Sequence, residues 1–168
     1  MHGRHIDWKS PYLGYDLGGQ YPVQEIVDGI LKDGIVAVAS GKAEYGPRAL
    51  GNRSIIADPR NLEMKDMINE KVKHRQWFRP FAPSILREEV SDWFHKDIDS
   101  PYMTTVLDWK EEVKDRVPAV VHLNGTARLQ TVTENDNEWY YNFIKKFEDK
   151  TGVPIVLNTS FWIIEMMM

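Results

Sequence analysis

The pattern that most constrains this chain is a change of hydrophobic period near its start. Val23, Ile26, Val27, Ile30 and Leu31 recur at helical spacing until Gly34, and a short apolar run over 35–39 follows at once. An amphipathic helix feeding directly into an apolar strand implies an α/β fold, because each element needs the other to cover its apolar side. The alternation then repeats. A second helix is expected over 62–72, with Asn61 as its cap and Met64, Met67, Ile68 and Val72 on one face. A third follows Asn135, with Trp139, Phe143, Ile144 and Phe147 inward and Gly152 near its end. Strands are expected over 35–39 (buried), 81–86, 103–107, 118–123, 128–132 and 154–157. The sum is a single α/β domain over 1–168, a twisted mixed β-sheet with flanking helices, with an irregular lead-in over 1–19.

Composition narrows the chemistry. With 42% hydrophobic residues, six tryptophans and 27% charged residues, the chain has the make-up of a folded globular domain. It has no cysteine, so thiolate catalysis, disulfides and cysteine zinc sites are excluded. No apolar run approaches the roughly 20 residues that span a bilayer, and the opening MHGRHIDWKS lacks the apolar centre of a secretion signal. A cytoplasmic protein that does not enter the membrane is expected. Net charge is −4, yet residues 42–79 carry nine Lys or Arg against five Asp or Glu, leaving −8 on the remainder. A basic segment in an acidic chain suits a small polyanion; a solvated helix face is the plainer reading. His2 and His5 are the only histidines at a metal-like spacing, which is ascribed to chance, so no metal site is expected within the chain.

Four segments carry candidate chemistry. The first, over 41–54, sets Gly41, Gly46 and Gly51 among Lys42, Glu44, Arg48, Arg53 and Ser54. Glycines let a backbone approach a ligand, and arginine forks match phosphate oxygens two at a time. The order of residues is neither a Walker loop nor a dinucleotide fingerprint, and a surface turn with solvated arginines is the alternative. The second, over 69–84, places Lys73, Arg75 and Arg79 at a helix exit, where the helix dipole alone favours cations. Arg79 is confined between Phe78 and Pro80, while Trp77, Phe78 and Phe81 read individually as core. The third contains the turn pair Asn124-Gly125, a hairpin signal, and sets His122, Thr126, Arg128 and Gln130 at alternating positions, hence on one sheet face. The fourth gathers Asn158, Thr159 and Ser160 at a strand end, where ligands of α/β sheets commonly sit.

Together these segments resemble the carbamoyltransferases that modify nodulation factors and antibiotics. The resemblance rests on GPRALGNRSI followed by ADPR, on VK-x-R leading to FRPFAPS, on GTAR-x-QTV and on LNTSF, in that order across roughly 12–161. It implies a C-terminal domain of YrdC-like fold. Such a domain uses ATP with Mg2+ and carbamoyl phosphate to make a carbamoyl-adenylate, for transfer to an acceptor hydroxyl by a metal-binding N-terminal domain. On that reading Lys42, Arg48, Arg53, Lys73, Arg75 and Arg79 supply the catalytic cationic field. Glu44, Gly46, Gly51, Ser54, His122, Gly125, Thr126, Arg128, Asn158, Thr159 and Ser160 hold the ligands.

Three positions depart from the family pattern. Gln76 and Asn124 stand where carboxylates are usual, and Trp162 replaces an asparagine, opening an apolar end, 162–168, that reads as truncated or divergent. Loss of a carboxylate at position 76 is expected to alter how Arg75 is oriented. The departures keep open a non-catalytic nucleotide or anion sensor. RNA binding through the basic segment is a third reading, opposed by the −8 on the rest of the chain.

Overall fold

The computed structural model describes residues 22–160; the lead-in and the end after Ser160 lie outside the described residues. These residues form a single α/β domain built on one mixed six-stranded sheet with flanking helices. The strands are β1 (Ile35–Ala39), β2 (Arg53–Ala57), β3 (Ala82–Leu86), β4 (Thr105–Asp108), β5 (Thr126–Val132) and β6 (Ile155–Ser160), in spatial order β1-β2-β6-β3-β5-β4. Only β3 and β5 run parallel; every other pair is antiparallel.

The helices follow their sequence signals with instructive differences. Helix α1 (Val23–Asp33) buries Val27 and Ile30 but leaves Leu31 exposed, and Gly34 ends it in the left-handed conformation, φ 78°. A side chain at Gly34 would meet the Met64 methyl at 2.4 Å, so glycine serves both the turn and the packing. The second helix starts as foreseen, with the Asn61 side chain accepting from the Glu63 N–H at 3.0 Å. It then changes hand-off: α2 (Glu63–Met67) gives way to a single π turn, Ile68–Val72. After the short α3 (Val90–Trp93) and α4 (Glu111–Lys114), helix α5 (Glu138–Thr151) is capped by the Asn137 side chain. It buries Tyr140, Phe143, Ile144 and Phe147, with Trp139 half-buried, and packs on α1, β3 and β6. Each such fully buried side chain contributes about 1.5–3 kcal/mol of burial.

Three expectations need correction. Residues 118–123 are not a strand: Pro118, with no N–H to give a ladder, starts a 3-10 turn over Pro118–Val120, and Leu123 is exposed. The Asn124-Gly125 pair therefore turns into β5 without a hairpin partner before it. Strand β2 was not anticipated, because its Ile55 and Ile56 sit inside a segment dominated by Gly, Pro and Arg. With β1 and β4 bounding the order, β1 is an edge strand whose Ala37 and Ala39 are exposed, rather than a fully buried one. Among the described residues no helix is long and apolar enough to cross a membrane.

Candidate functional site

The connection between β1 and β2, residues 40–52, is held by two charges, Glu44 within it and Arg53 at the start of β2. The Glu44 carboxylate accepts the backbone N–H groups of Leu50 at 2.8 Å, Asn52 at 2.7 Å and Arg53 at 3.4 Å. The Arg53 guanidinium donates to the carbonyls of Ser40, Asn52 and Gly41 at 2.5, 2.9 and 2.9 Å. The buried Ser54 hydroxyl accepts from the Gly51 N–H at 3.0 Å. These bonds turn the carbonyls of Ala49 and Leu50 toward the sheet and leave Arg48 exposed at the loop's free side.

The π turn shapes the second segment. It buries Asn69, whose amide donates to the carbonyls of Trp77 at 3.1 Å and Arg79 at 3.0 Å while its oxygen accepts from Arg75 Nε at 2.7 Å. One asparagine thereby holds the whole stretch that presents Arg75 and Arg79. Arg75 also lies over the Phe81 ring, 4.7 Å from its centroid, and burial followed by the nearby Arg79 charge lowers its pKa. Gln76 bonds Arg79 Nε at 2.9 Å, so the residue that departs from the family pattern orients Arg79, not Arg75 as foreseen. Lys73 is buried, and its ammonium donates to the carbonyl of Ser160 at the end of β6. Burial, then the Arg75 charge, pushes its pKa down to about 8.

Across the sheet, three polar side chains on β3, β5 and β6 interlock. Ser84 Oγ donates to Gln130 Oε1 at 2.6 Å, and Asn158 Nδ2 donates to the same oxygen at 2.8 Å and to Ala49 O at 3.0 Å. Gln130 Nε2 reaches Leu50 O at 3.1 Å, tying loop to sheet. Asn158 is 2% exposed, and among the described residues its Oδ1 has no hydrogen-bond partner. An acceptor left so costs about 1–3 kcal/mol. The amide orientation is set by the two carbonyls that Nδ2 serves. Further along, His122 Nδ1 lies 3.1 Å from Thr126 Oγ1, and burial, then Arg128, lowers the His122 pKa and favours the neutral ring. Asn124 closes that turn by accepting from the Thr126 N–H and hydroxyl.

These parts enclose a cavity of about 400 Å³. Of the residues singled out from sequence, Arg48, Arg75, Arg79, His122, Arg128, Asn158, Thr159 and Ser160 line it. Among the described residues none of the four guanidiniums is ion-paired with a carboxylate, and the lining itself contains no Asp or Glu. Lys73 stands one residue behind, through Ser160. Lys42, Glu44, Gly51, Arg53, Ser54, Gly125 and Thr126 lie outside the lining, and Gly46 borders an adjoining hollow of about 490 Å³ with Tyr45 and Tyr102. Arg48, Met103 and Arg128 border both. Met103 does so in the left-handed conformation, φ 57°, uncommon outside glycine. Only β6 brings its carboxyl end to the cavity; β3 brings its amino end, at Ala82. Asn69 and Ser84 form the site although residue type does not mark them, and Gln130 does more than belong to a polar face. Trp77 and Phe78, expected in the core, are both exposed, because the chain there is held through its backbone carbonyls by Asn69.

The fold and the cavity define an α/β domain with a cationic pocket at one end of its sheet. The chain belongs to the carbamoyltransferase family, residues 27–166 matching the domain described as Carbamoyltransferase C-terminus. It is 46% identical over 154 residues to an uncharacterized protein of Methanocaldococcus jannaschii, covering 92% of this chain and 25% of that protein. Similarity extends to the nodulation protein NolNO of Sinorhizobium fredii, 48% identical over 130 residues, 76% of this chain and 19% of that one. Nodulation protein U of the same organism is 39% identical over 165 residues, 92% of this chain and 29% of that one. The chain spans about a quarter of the length of the curated relatives it matches.

Proposed function

We propose that this domain activates a carbamoyl group: it binds carbamoyl phosphate and ATP in the arginine-lined cavity and makes a carbamoyl-adenylate. The observation that carries the reading is the set of four guanidiniums around one cavity, without a carboxylate partner among the described residues. Unpaired arginines converging on a partly enclosed space repel one another, and a multiply charged anion removes that repulsion.

In the proposed reaction, carbamoyl phosphate gives its phosphate to water, and the carbamate oxygen so formed attacks the α-phosphorus of ATP as pyrophosphate leaves. Two anions must meet, so cations fixed beforehand lower the barrier. Arg48, Arg75, Arg79 and Arg128 supply this field, with Lys73 behind them. The adjoining hollow, with Tyr45 and Tyr102, has room and aromatic surface for the nucleoside. The donor set fits phosphate directly. Magnesium arriving with ATP would be held by phosphate and water, since the lining offers it no carboxylate. Transfer to an acceptor hydroxyl belongs to the remaining part of the longer proteins this chain resembles.

The test is carbamoyl-phosphate-dependent exchange of labelled pyrophosphate into ATP, paired with calorimetry of Arg48→Ala and Arg79→Ala. Exchange by the parent and at least a tenfold loss of ATP affinity in each variant are expected, from removal of a charge-assisted contact worth about 1.5–3 kcal/mol. Parent-like ATP binding by both variants would refute the site. Binding without exchange would leave an anion-binding domain that does not turn over.

A further inference from the structure

His122 is singled out among the cavity's lining by what surrounds it. The other titratable side chains there are the four arginines, which stay protonated, and the lining holds no carboxylate. Among the described residues, His122 is therefore the one lining group able to take up a proton near neutral pH. The turn that follows fixes both its place and its tautomer. The His122 N–H donates to Thr126 O, and its carbonyl accepts from the Gly125 N–H, each at 2.9 Å. Asn124 Oδ1 accepts the Thr126 N–H at 3.3 Å, and since a backbone N–H only donates, the oxygen of that amide faces Thr126. The Thr126 hydroxyl, 2.8 Å from the same oxygen, spends its one proton there, so toward His122 Nδ1 at 3.1 Å it only accepts. Nδ1 thus carries the ring proton. Nε2 is left as a bare lone pair, without a hydrogen-bond partner among the described residues, on a ring that is half-buried and not sealed. Burial first, then the charges of Arg128 on β5 and Lys65 on α2, hold the His122 pKa below the ordinary 6.5, which keeps that lone pair free at neutral pH.

The geometry points to His122 as the general base of the hydrolytic step, its Nε2 taking a proton from the water that attacks carbamoyl phosphate. Thr126 and Asn124 are positioning residues, which hold the ring and its tautomer. This rests on the reading of the cavity as a site for carbamoyl phosphate and ATP and goes further, by naming the group that starts the reaction. The water oxygen forms a bond to phosphorus as the bond from phosphorus to the carbamate oxygen breaks, and that oxygen leaves with the electron pair. Water, carbamoyl phosphate and the neutral ring thereby give carbamate, hydrogenphosphate and an imidazolium. The imidazolium then gives its proton to the departing phosphate, which restores the base. The arginines neutralise the phosphate oxygens but, being protonated, take no part in removing the proton of water.

The experiment follows exchange of labelled pyrophosphate into ATP by the full chain and by His122→Asn, with either carbamoyl phosphate or ammonium carbamate as the carbamoyl source. Ammonium carbamate supplies carbamate directly and needs no attacking water. His122→Asn should lose about a hundredfold or more with carbamoyl phosphate, the ordinary worth of a positioned base, and less than about tenfold with carbamate. Equal losses on the two sources overturn the assignment. Asn124→Asp tests the positioning without touching the ring, and it decides the matter where His122→Asn does not fold. In the parent the rate driven by carbamoyl phosphate should fall only below pH 6.5, because the His122 pKa is lowered. A carboxylate behind Thr126 favours the imidazolium, so in Asn124→Asp this fall should move to higher pH. An acidic limb that stays in place overturns the role of His122. A parent that exchanges with neither source overturns the reading of the cavity itself, whereas exchange with carbamate alone overturns the hydrolytic step and leaves the adenylate site standing.

Discussion

At the scale of single residues, cations that look equivalent in sequence have different situations. Arg53 spends its donors on three carbonyls of the loop that precedes it, whereas Arg48, Arg75, Arg79 and Arg128 face the cavity. Lys73 is intermediate: it is buried behind the cavity wall and bonds the carbonyl of Ser160. With its pKa lowered from the ordinary 10.5 to about 8, the folded chain disfavours its charged form. Below about pH 8 the amine is protonated folded or unfolded, and burying that charge costs stability in full. Between about 8 and 10.5 the unfolded chain holds the proton more firmly than the folded one, so this group's contribution to stability rises with pH. Over the same range the cavity loses a nearby positive charge. Measured against Lys73→Met, the parent should gain stability in urea melts as pH rises through this window, while its affinity for sulfate falls. A parent and variant that run parallel with pH in both measurements would show that Lys73 does not titrate there.

At the scale of elements, the loop over 40–52 gives the sharpest expectation. Gly51 has φ 117°, and a Cβ there would lie 2.6 and 2.8 Å from ring carbons of Tyr140. Tyr140 is fully buried and stacked with Phe143, ring centroids 6.2 Å apart, so it has little room to move. Gly51→Ala should therefore cost about 2–4 kcal/mol, combining overpacking with backbone strain, and be read as a lowered melting temperature. It should also weaken phosphate binding, because Ala49 and Leu50 would leave Asn158 and Gln130. An unshifted melting temperature would mean that the loop yields easily.

The same loop shows what the sequence could and could not reveal. Helices α1 and α5 were legible because in each an apolar helical period runs up to a glycine that ends it, Gly34 and Gly152. Strand β2 was not, since its pairing is decided by β1 and β6 across space rather than by a local alternation. The π turn was invisible for a related reason. One extra residue per turn leaves the apolar face of 62–72 nearly intact, yet it redirects the chain so that Asn69 can hold Arg75 and Arg79. The arginines of the site could be read from residue type, but their division between cavity and scaffold could not, because that depends on which carbonyls the fold brings near. Asn158 was legible as polar at a strand end; its bonds to Gln130 and Ala49, far away in the chain, were not.

At the scale of the whole molecule, charge distribution decides what kind of anion the cavity can serve. Residues 42–79 carry +4 and the rest of the chain −8. A compact anion such as pyrophosphate needs only the four guanidiniums of one cavity of about 400 Å³. A nucleic acid would have to continue past the cavity over surface that is acidic on balance, and each phosphate beyond it would gain little or be repelled. Lower salt strengthens attraction and repulsion alike, so weakening the screening should widen the preference rather than erase it. The expectation is that pyrophosphate and ATP compete for one site, and that a single-stranded RNA of about 20 nucleotides fails to displace them at roughly 0.15 M salt, where the screening length is about 8 Å. Fluorescence competition with a labelled ATP analogue measures this directly. Displacement by RNA at far lower concentration than pyrophosphate, with a steep dependence on salt, would mean that the basic segment forms an extended groove and that the acidic remainder lies away from it.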